Sequence, residues 1–306
     1  MPYTEIEGHR LALSNLDKVL YPASGFTKGE ALHYYASVAE ALLPHLHGRP
    51  LSFFRFPDGV EGGGFFAKNV PPGAPDWVTT AEVTHVSREP LHQVLVEDLA
   101  TLVWAANIAA LELHTPQWRV DRVDRVNSAD RVGTGNLADR LVFDLDPGEG
   151  ATLLDCRTVA LWIRDRLADD GLTALPKTSG AKGLHLLAAI TPAPSAAASA
   201  YAKKIAEEAE AALPGLALSR MTRALRKRKV FVDHSQNAAA KTTAAPYTLR
   251  ARPRPTVSAP VTWDELEAAT SPDELIFLAP GLPARLERHG DLLAPLLTPA
   301  HARPLP

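Results

Sequence analysis

Residues 141–147 read Leu-Val-Phe-Asp-Leu-Asp-Pro. Three apolar residues run directly into Asp144, and Asp146 follows two positions later. In an extended strand the side-chain period is two, so both carboxylates leave one face. The apolar lead-in predicts a buried strand, and Pro147-Gly148 predicts its end. Two carboxylates at the end of a buried strand repel each other unless a cation lies between them. A hard divalent metal is the usual solution. Solvated acids at an ordinary strand end are the alternative that this stretch alone leaves open.

Few function classes survive the bulk properties. The chain has 306 residues, 46% of them hydrophobic and 22% charged, which is a globular and not a disordered composition. No apolar run reaches membrane-spanning length. The N-terminus lacks the basic-then-apolar layout of a signal peptide. The single cysteine, Cys156, permits neither an internal disulfide nor a Cys-based zinc site. A cytoplasmic protein is expected. The net charge of −3 excludes general basic binding of nucleic acid, so any such binding must use local patches. One patch is Arg220, Arg223, Arg226, Lys227, Arg228 and Lys229, although a charge run also reads as a solvated face.

Along the chain, a β-like piece near 10–13 precedes a turn at 14–18. Thr27 and Glu30 form a capping box that predicts a helix over 28–43, ended by Pro44. Residues 50–72 predict a hairpin around a turn-rich centre. An apolar helix is expected over 98–114, a loop over 119–140, a helix over 152–168 with Gly171 as its stop, and a strand near 172–178. Residues 191–200 predict a loop leading into a helix over 200–213. Further capping boxes begin at Thr262 and Ser271, and a last helix covers 282–297. Strands and helices alternating around apolar strands predict an α/β or α+β core.

Three strand ends carry the chemistry. Asp144 and Asp146 leave one. Asp233 ends another apolar strand, Val-Phe-Val-Asp. His185 opens a third, after the turn Ser179-Gly180-Ala181-Lys182-Gly183. Carboxylates converging on two divalent ions suit phosphoryl transfer. The turn offers a hydroxyl, backbone N–H groups and a lysine for phosphates. It lacks the spacing of a Walker loop. A Ser179/His185/Asp hydrolase triad fits the residue types, but no G-x-S-x-G elbow supports it.

The segments LSNLDKVLYP, FRFPDGV, FFAKN, HTPQWR, LVFDLDP, KTSGAKGLHL, VFVDHSQN, PYTLRARP and VTWDEL occur in this order over roughly residues 10–270. With them the chain resembles the polymerase domain of bacterial ATP-dependent DNA ligase D, in the archaeo-eukaryotic primase/polymerase superfamily. The resemblance implies a primase-polymerase fold: two β-sheet subdomains, flanking helices and a central catalytic cleft. Residues 1–306 would form one catalytic domain, with DNA-end and template contacts in 1–140 and the metal and nucleotide site in 141–306. With no K-x-D-G ligase motif and no nuclease region, a stand-alone polymerase or an excised domain is expected.

The implied activity is template-directed nucleotide addition to a 3′-hydroxyl, filling gaps and extending ends in DNA break repair, chiefly non-homologous end joining. The implied cofactors are two Mn2+ or Mg2+ ions, and the substrates are NTPs or dNTPs, with ribonucleotides preferred. By motif position, Asp144, Asp146 and Asp233 hold the metals. Ser179, Lys182 and His185 bind the triphosphate. Arg226, Gln236, Arg250, Arg252 and His114 lie near the nucleotide or metals. Asn15, Lys18 and Lys28 hold a DNA 5′-phosphate. Phe65 and Phe66 stack on the template, with Arg55 and Lys68 in the same DNA-facing segment. The implied partners are gapped or broken duplex DNA, Ku and a DNA ligase, with no membrane. His234 stands where the family usually has an aromatic residue, and Arg228 where glycine is common. Two rivals remain: a two-metal nuclease, and a non-catalytic DNA-end-binding module.

Overall fold

A computed structural model describes residues 3–85, 88–123 and 136–306. These fall into two compact units, each built from several chain segments. One unit takes residues up to Thr115 with 242–258 and 277–290; the other takes 116–241, 259–276 and 291–306. Each unit is therefore discontinuous in sequence.

The second unit is organised on the strand Asn136–Pro147. Its sheet runs in the order Leu175–Thr178, Leu184–Pro194, Asn136–Pro147, Val230–Asp233, Ala217–Leu218, and Trp118–Val123 also pairs with Asn136–Pro147. All pairings are antiparallel except Ala217–Leu218 with Val230–Asp233. Leu141, Val142, Phe143 and Leu145 are fully buried, which accounts for the continuous apolar lead-in. Each such side chain contributes about 1.5–3 kcal/mol of burial. The helices Leu153–Asp169 and Ser195–Ala212 both pack on this strand. Val142 lies two positions from Asp144 and so on its face, where it packs with Leu187 and Leu293. Farther along that face the cover ends: Asp144 is half-buried and Asp146 exposed.

The first unit holds a four-stranded sheet in the order Thr243–Ala244, Ala110–Thr115, Ser52–Arg55, Phe65–Ala67, with two-stranded hairpins around it. The expected hairpin over 50–72 is present, pairing Phe54 with Phe66 and Arg55 with Phe65. The helix starting at Lys28 carries its capping box: Thr27 Oγ1 accepts from Glu30 N at 3.2 Å, and Glu30 Oε2 accepts from Thr27 N at 2.7 Å.

Several expected elements differ. The helix from Lys28 ends at Ser37, and a second helix, Ala39–Leu46, contains Pro44. The chain bends at Val38, and Pro44 merely removes one backbone bond from a short helix. The helix expected over 98–114 stops at Asn107; Ala109, at φ +59°, turns the chain into the strand Ala110–Thr115. All six residues of that strand are buried, and a doubly buried strand and a buried helix have the same apolar composition. The loop expected over 119–140 includes the strand Trp118–Val123 and the start of Asn136–Pro147; the intervening part lies outside the described residues. The loop expected over 191–200 is the end of one strand, with a helix starting directly at Ser195. Ser271 begins a 3-10 turn, because Glu274 bonds Thr270 instead. The last helix ends at His289, before Gly290 at φ +65°, and a 3-10 turn covers 294–297. Among the described residues no helix is long and apolar enough to cross a membrane.

Candidate functional site

Sheet register builds the site in the second unit. Asp144 is directly opposite Asp233 on one side and His185 on the other, and His185 is opposite Lys177. Directly opposed residues share a sheet face. Lys177, His185, Asp144 and Asp233 therefore form one row across four strands. His185 Nε2 lies 3.3 Å from Asp144 Oδ1. Asp233 is buried and takes three bonds: Ser235 N at 3.0 Å, Ser235 Oγ at 2.6 Å and Gln236 Nε2 at 2.9 Å. Opposed carboxylates about 5 Å apart repel by roughly 3 kcal/mol at an effective dielectric of about 20. The donors on each acid offset that repulsion. Lys177, 1% exposed, was not singled out from the sequence; only strand register brings it into the row.

Asp146 is opposite Phe231, whose ring carries the Arg226 guanidinium at 3.8 Å. Arg226 Nη2 donates to Met221 O at 3.0 Å. The basic segment is held to the strand end by Gly148 N donating to Lys229 O at 2.8 Å. Arg228, where glycine is usual in the resembling family, adopts φ +56°, a backbone region that glycine enters without steric cost. Beneath the acids, burial first and then the charges of Asp146, Asp155 and Asp144 push the Cys156 thiol up. Its thiol donates to Leu145 O and is structural, not nucleophilic.

The Ser179–Gly183 turn has a tighter design than its composition suggests. Ser179 Oγ accepts from Ala181 N at 3.2 Å and Gly183 N at 3.1 Å, and Ser179 N donates to Gly183 O at 2.9 Å. Two of the amides expected to face phosphates are thus turned onto Ser179. Lys182 is exposed at the tip, and His185 enters the acid row.

Three oxygen-donor carboxylates on two paired strands, Asp144 and Asp146 on one and Asp233 on the other, fit a hard divalent cation. Among the described residues, no three His, Cys, Asp or Glu side chains are drawn together as a ligand cluster. Asp144 contacts His185, Asp233 takes its three donors, and Asp146 is exposed.

The other expected residues lie in the first unit, where they form two groups. In one, Lys28 Nζ donates to Ser14 O at 2.5 Å and Ser14 Oγ at 3.0 Å. Burial, then the charge of Lys18, holds the Lys28 ammonium below its ordinary range. The Lys18 charge therefore reaches the buried Lys28 ammonium at the start of a capped helix, a setting that favours an anion. Asn15, exposed at φ +51°, shapes the adjoining turn, with Lys18 N donating to Asn15 O at 3.0 Å. Lys18 Nζ pairs with Asp58 Oδ1 at 3.0 Å, a carboxylate on the Pro-Asp-Gly turn that sequence reasoning passed over.

The second group is centred on Glu112, which was also missed. His114 Nε2 lies 2.9 Å from Glu112 Oε2, and Arg250 Nε is 3.2 Å from the same oxygen. Ala251 N donates to Glu112 Oε1 at 2.9 Å. Burial alone would raise this carboxyl. The His114 bond, the Arg250 and His114 charges and the Ala251 amide outweigh it and hold the value at about 2. The period-two alternation Leu111-Glu112-Leu113-His114 was the signal available in the sequence. Phe66 meets His114 edge-on at 5.4 Å and stacks on Phe54 at 4.4 Å. Phe65 and Phe66 are both exposed, but as strand neighbours they stand on opposite faces; Phe65 faces Arg55, whose guanidinium is 5.4 Å from its ring. Arg55 Nε donates to Ile108 O at 3.0 Å, and Lys68 and Arg252 are exposed.

The Glu112 value has a consequence for acid stability. A carboxyl depressed in the folded state contributes stability that is fully present above about pH 4.5 and lost as pH falls toward about 2. Glu112→Gln is expected to lower stability at neutral pH by about 3 kcal/mol. The difference between its curve and the parent's should shrink below about pH 4.5, measured by denaturant melts at stepped pH. A constant difference down to pH 2 contradicts the assignment.

The chain matches the family model described as LigD, primase-polymerase domain, over residues 27–293. It is 46% identical over 294 residues to the multifunctional non-homologous end joining DNA repair protein LigD of Mycobacterium tuberculosis, covering 93% of this chain and 36% of that protein. It is 29% identical over 266 residues to the bifunctional non-homologous end joining protein LigD of Bacillus subtilis, covering 86% of this chain and 40% of that protein. The chain thus spans less than half the length of these relatives. Among solved structures, the polymerase domain of Mycobacterium tuberculosis ligase D in complex with DNA is similar at a TM-score of 0.86 and 44% identity, covering 94% of this chain and 98% of that one.

Proposed function

The chain belongs to the LigD primase-polymerase family, and on that premise we propose that it is a template-directed nucleotidyltransferase that fills gaps and extends 3′ ends during non-homologous end joining in the bacterial cytoplasm. The observation that carries the reading is the registered row in which Asp144 is flanked by His185 and Asp233. The 3′-oxygen attacks the α-phosphorus of a nucleoside triphosphate, the bond to the β-phosphate oxygen breaks, and pyrophosphate leaves. Two manganese or magnesium ions, held by Asp144, Asp146 and Asp233, would supply Lewis-acid stabilisation of charge on the phosphorus oxygens. Lys182 and His185 hold the triphosphate through charge-assisted hydrogen bonds, from a turn whose shape Ser179 sets. Gln236 orients Asp233, and Arg226 adds positive charge beside Asp146. His114, Arg250 and Arg252 contact the nucleotide. Phe66 gives a base-tolerant stacking surface, with Phe65, Arg55 and Lys68 on the same hairpin segment against DNA. The 3′-hydroxyl proton passes to water or a neighbouring carboxylate. Ribonucleotides are the preferred substrates, and Ku and a ligase are the proposed protein partners.

Asn15, Lys18 and Lys28 bind the 5′-phosphate at a gap. Lys18→Ala is expected to weaken binding of a 5′-phosphorylated gap about tenfold or more, the size of one charged hydrogen bond, while extension of a plain primer continues. Fluorescence anisotropy with phosphorylated and unphosphorylated gaps measures this. Equal loss on both substrates would count against the pocket.

Primer extension on a gapped duplex tests the whole reading. Manganese, ribo- and deoxynucleotides, and a downstream strand with or without its 5′-phosphate are the variables. Extension with pyrophosphate release is the expected result. Phosphodiester cleavage in its place would make the chain a nuclease, and binding without incorporation of any nucleotide would make it an end-binding module.

A further inference from the structure

We propose that Glu112 is a positioning residue for nucleotide binding, holding His114 and Arg250 in one fixed arrangement beside the Phe66 ring; the inference rests on the polymerase reading above. Glu112 and His114 are two apart on a buried strand and so share a face. On that face Glu112 is opposite Phe54, and Phe54 is opposite Phe66, so the row runs from a buried acid to an exposed edge ring. His114 meets that same ring edge-on.

Both oxygens of Glu112 are in use. One carries His114 Nε2 at 2.9 Å and Arg250 Nε at 3.2 Å; the other accepts the Ala251 amide at 2.9 Å. The carboxylate is 5% exposed, and its bond to a main-chain amide anchors it to the backbone. Arg250 is tied at its other end as well, because its carbonyl accepts from Tyr21 Oη at 3.2 Å. The Arg250 contact is an ion pair at Nε without a hydrogen bond, so charge attraction holds the guanidinium against the carboxylate, while the bond at Nε2 sets the rotation of the imidazole. An acid placed this way does not itself touch substrate. It removes rotamer freedom from two groups before the nucleotide arrives, and pre-ordering of that kind appears as affinity.

The test compares steady-state kinetics of Glu112→Gln with the parent on a gapped duplex, beside His114→Ala and the double variant. The expected result is a nucleotide KM raised about tenfold or more, with kcat near the parent's and affinity for the 5′-phosphorylated gap unchanged. If Glu112 acts through His114 and Arg250, its effect on KM is smaller in the His114→Ala background. Should Glu112→Gln fail to melt cooperatively, Glu112→Asp keeps the charge and shortens the reach, and the same KM rise is expected. An unmoved KM, or equal effects in both backgrounds, overturns the inference and leaves the polymerase reading standing. A parent chain that incorporates nothing overturns both.

Discussion

Asp144→Ala is expected to reduce nucleotide incorporation by about a thousandfold or more, a loss at the upper end of what removing one preorganised electrostatic group produces. Asp144 earns this expectation by its place in the row. It is the one carboxylate with His185 on one side and Asp233 on the other. Asp146 stands exposed nearer the strand end, and Asp233 already has three donors of its own. The effect on stability should be small, within about 1 kcal/mol, because two changes oppose each other. Removing the acid relieves its repulsion with Asp233 and also ends its contact with His185. Primer extension and pyrophosphate release measured beside a thermal melt separate the two quantities. Incorporation within tenfold of the parent, by a folded variant, would sink the proposed mechanism.

Gly183→Ala is expected to unseat the Ser179–Gly183 turn. A Cβ at Gly183 would overlap the carbonyl oxygen of Leu145 and meet Pro147 Cδ at 3.2 Å. Leu145 lies between the two acids, so the turn packs on the backbone that carries them. No side-chain rotamer relieves a clash with a main-chain oxygen; the turn itself must move. That movement strains the Gly183 N to Ser179 Oγ and Ser179 N to Gly183 O bonds, and shifts Lys182 and His185 with them. Overpacking of this kind costs about 2–3 kcal/mol, which lowers Tm by roughly 5 °C or more. Nucleotide KM should rise in parallel. Gly215→Ala is the matched control, since a Cβ there meets nothing within 4 Å. Calorimetry giving the same Tm for both variants would show that the turn is not seated as described.

These two residues show how unevenly the site was legible. Asp144 was legible only as one of two acids sharing a strand face, a pattern that also fits solvated acids; its place between His185 and Asp233 came from strand register. Gly183 could be read only as turn punctuation, because nothing in its neighbours names Leu145 as the atom it must approach. Glu112 was hidden for a different reason. Its segment is apolar enough to pass for the continuation of a helix, and the alternation that marks a strand spans only four residues. Phe65 and Phe66 read as one aromatic pair, yet strand geometry sends adjacent residues to opposite faces, and only Phe66 reaches His114.

What the sequence by itself determined is the set of features that a short stretch of backbone enforces. The shared face of Asp144 and Asp146, the capped start at Lys28, the hairpin turn before Phe65 and the stop at Gly171 follow from local periodicity and φ preference. What only the tertiary structure decided is which strands are neighbours and in what register. Asp233 beside Asp144, His185 beside Asp144, and Arg250 on Glu112 join residues far apart in the chain. Those pairings depend on how the whole chain buries its apolar faces, and a one-residue slip would turn each side chain to the opposite face.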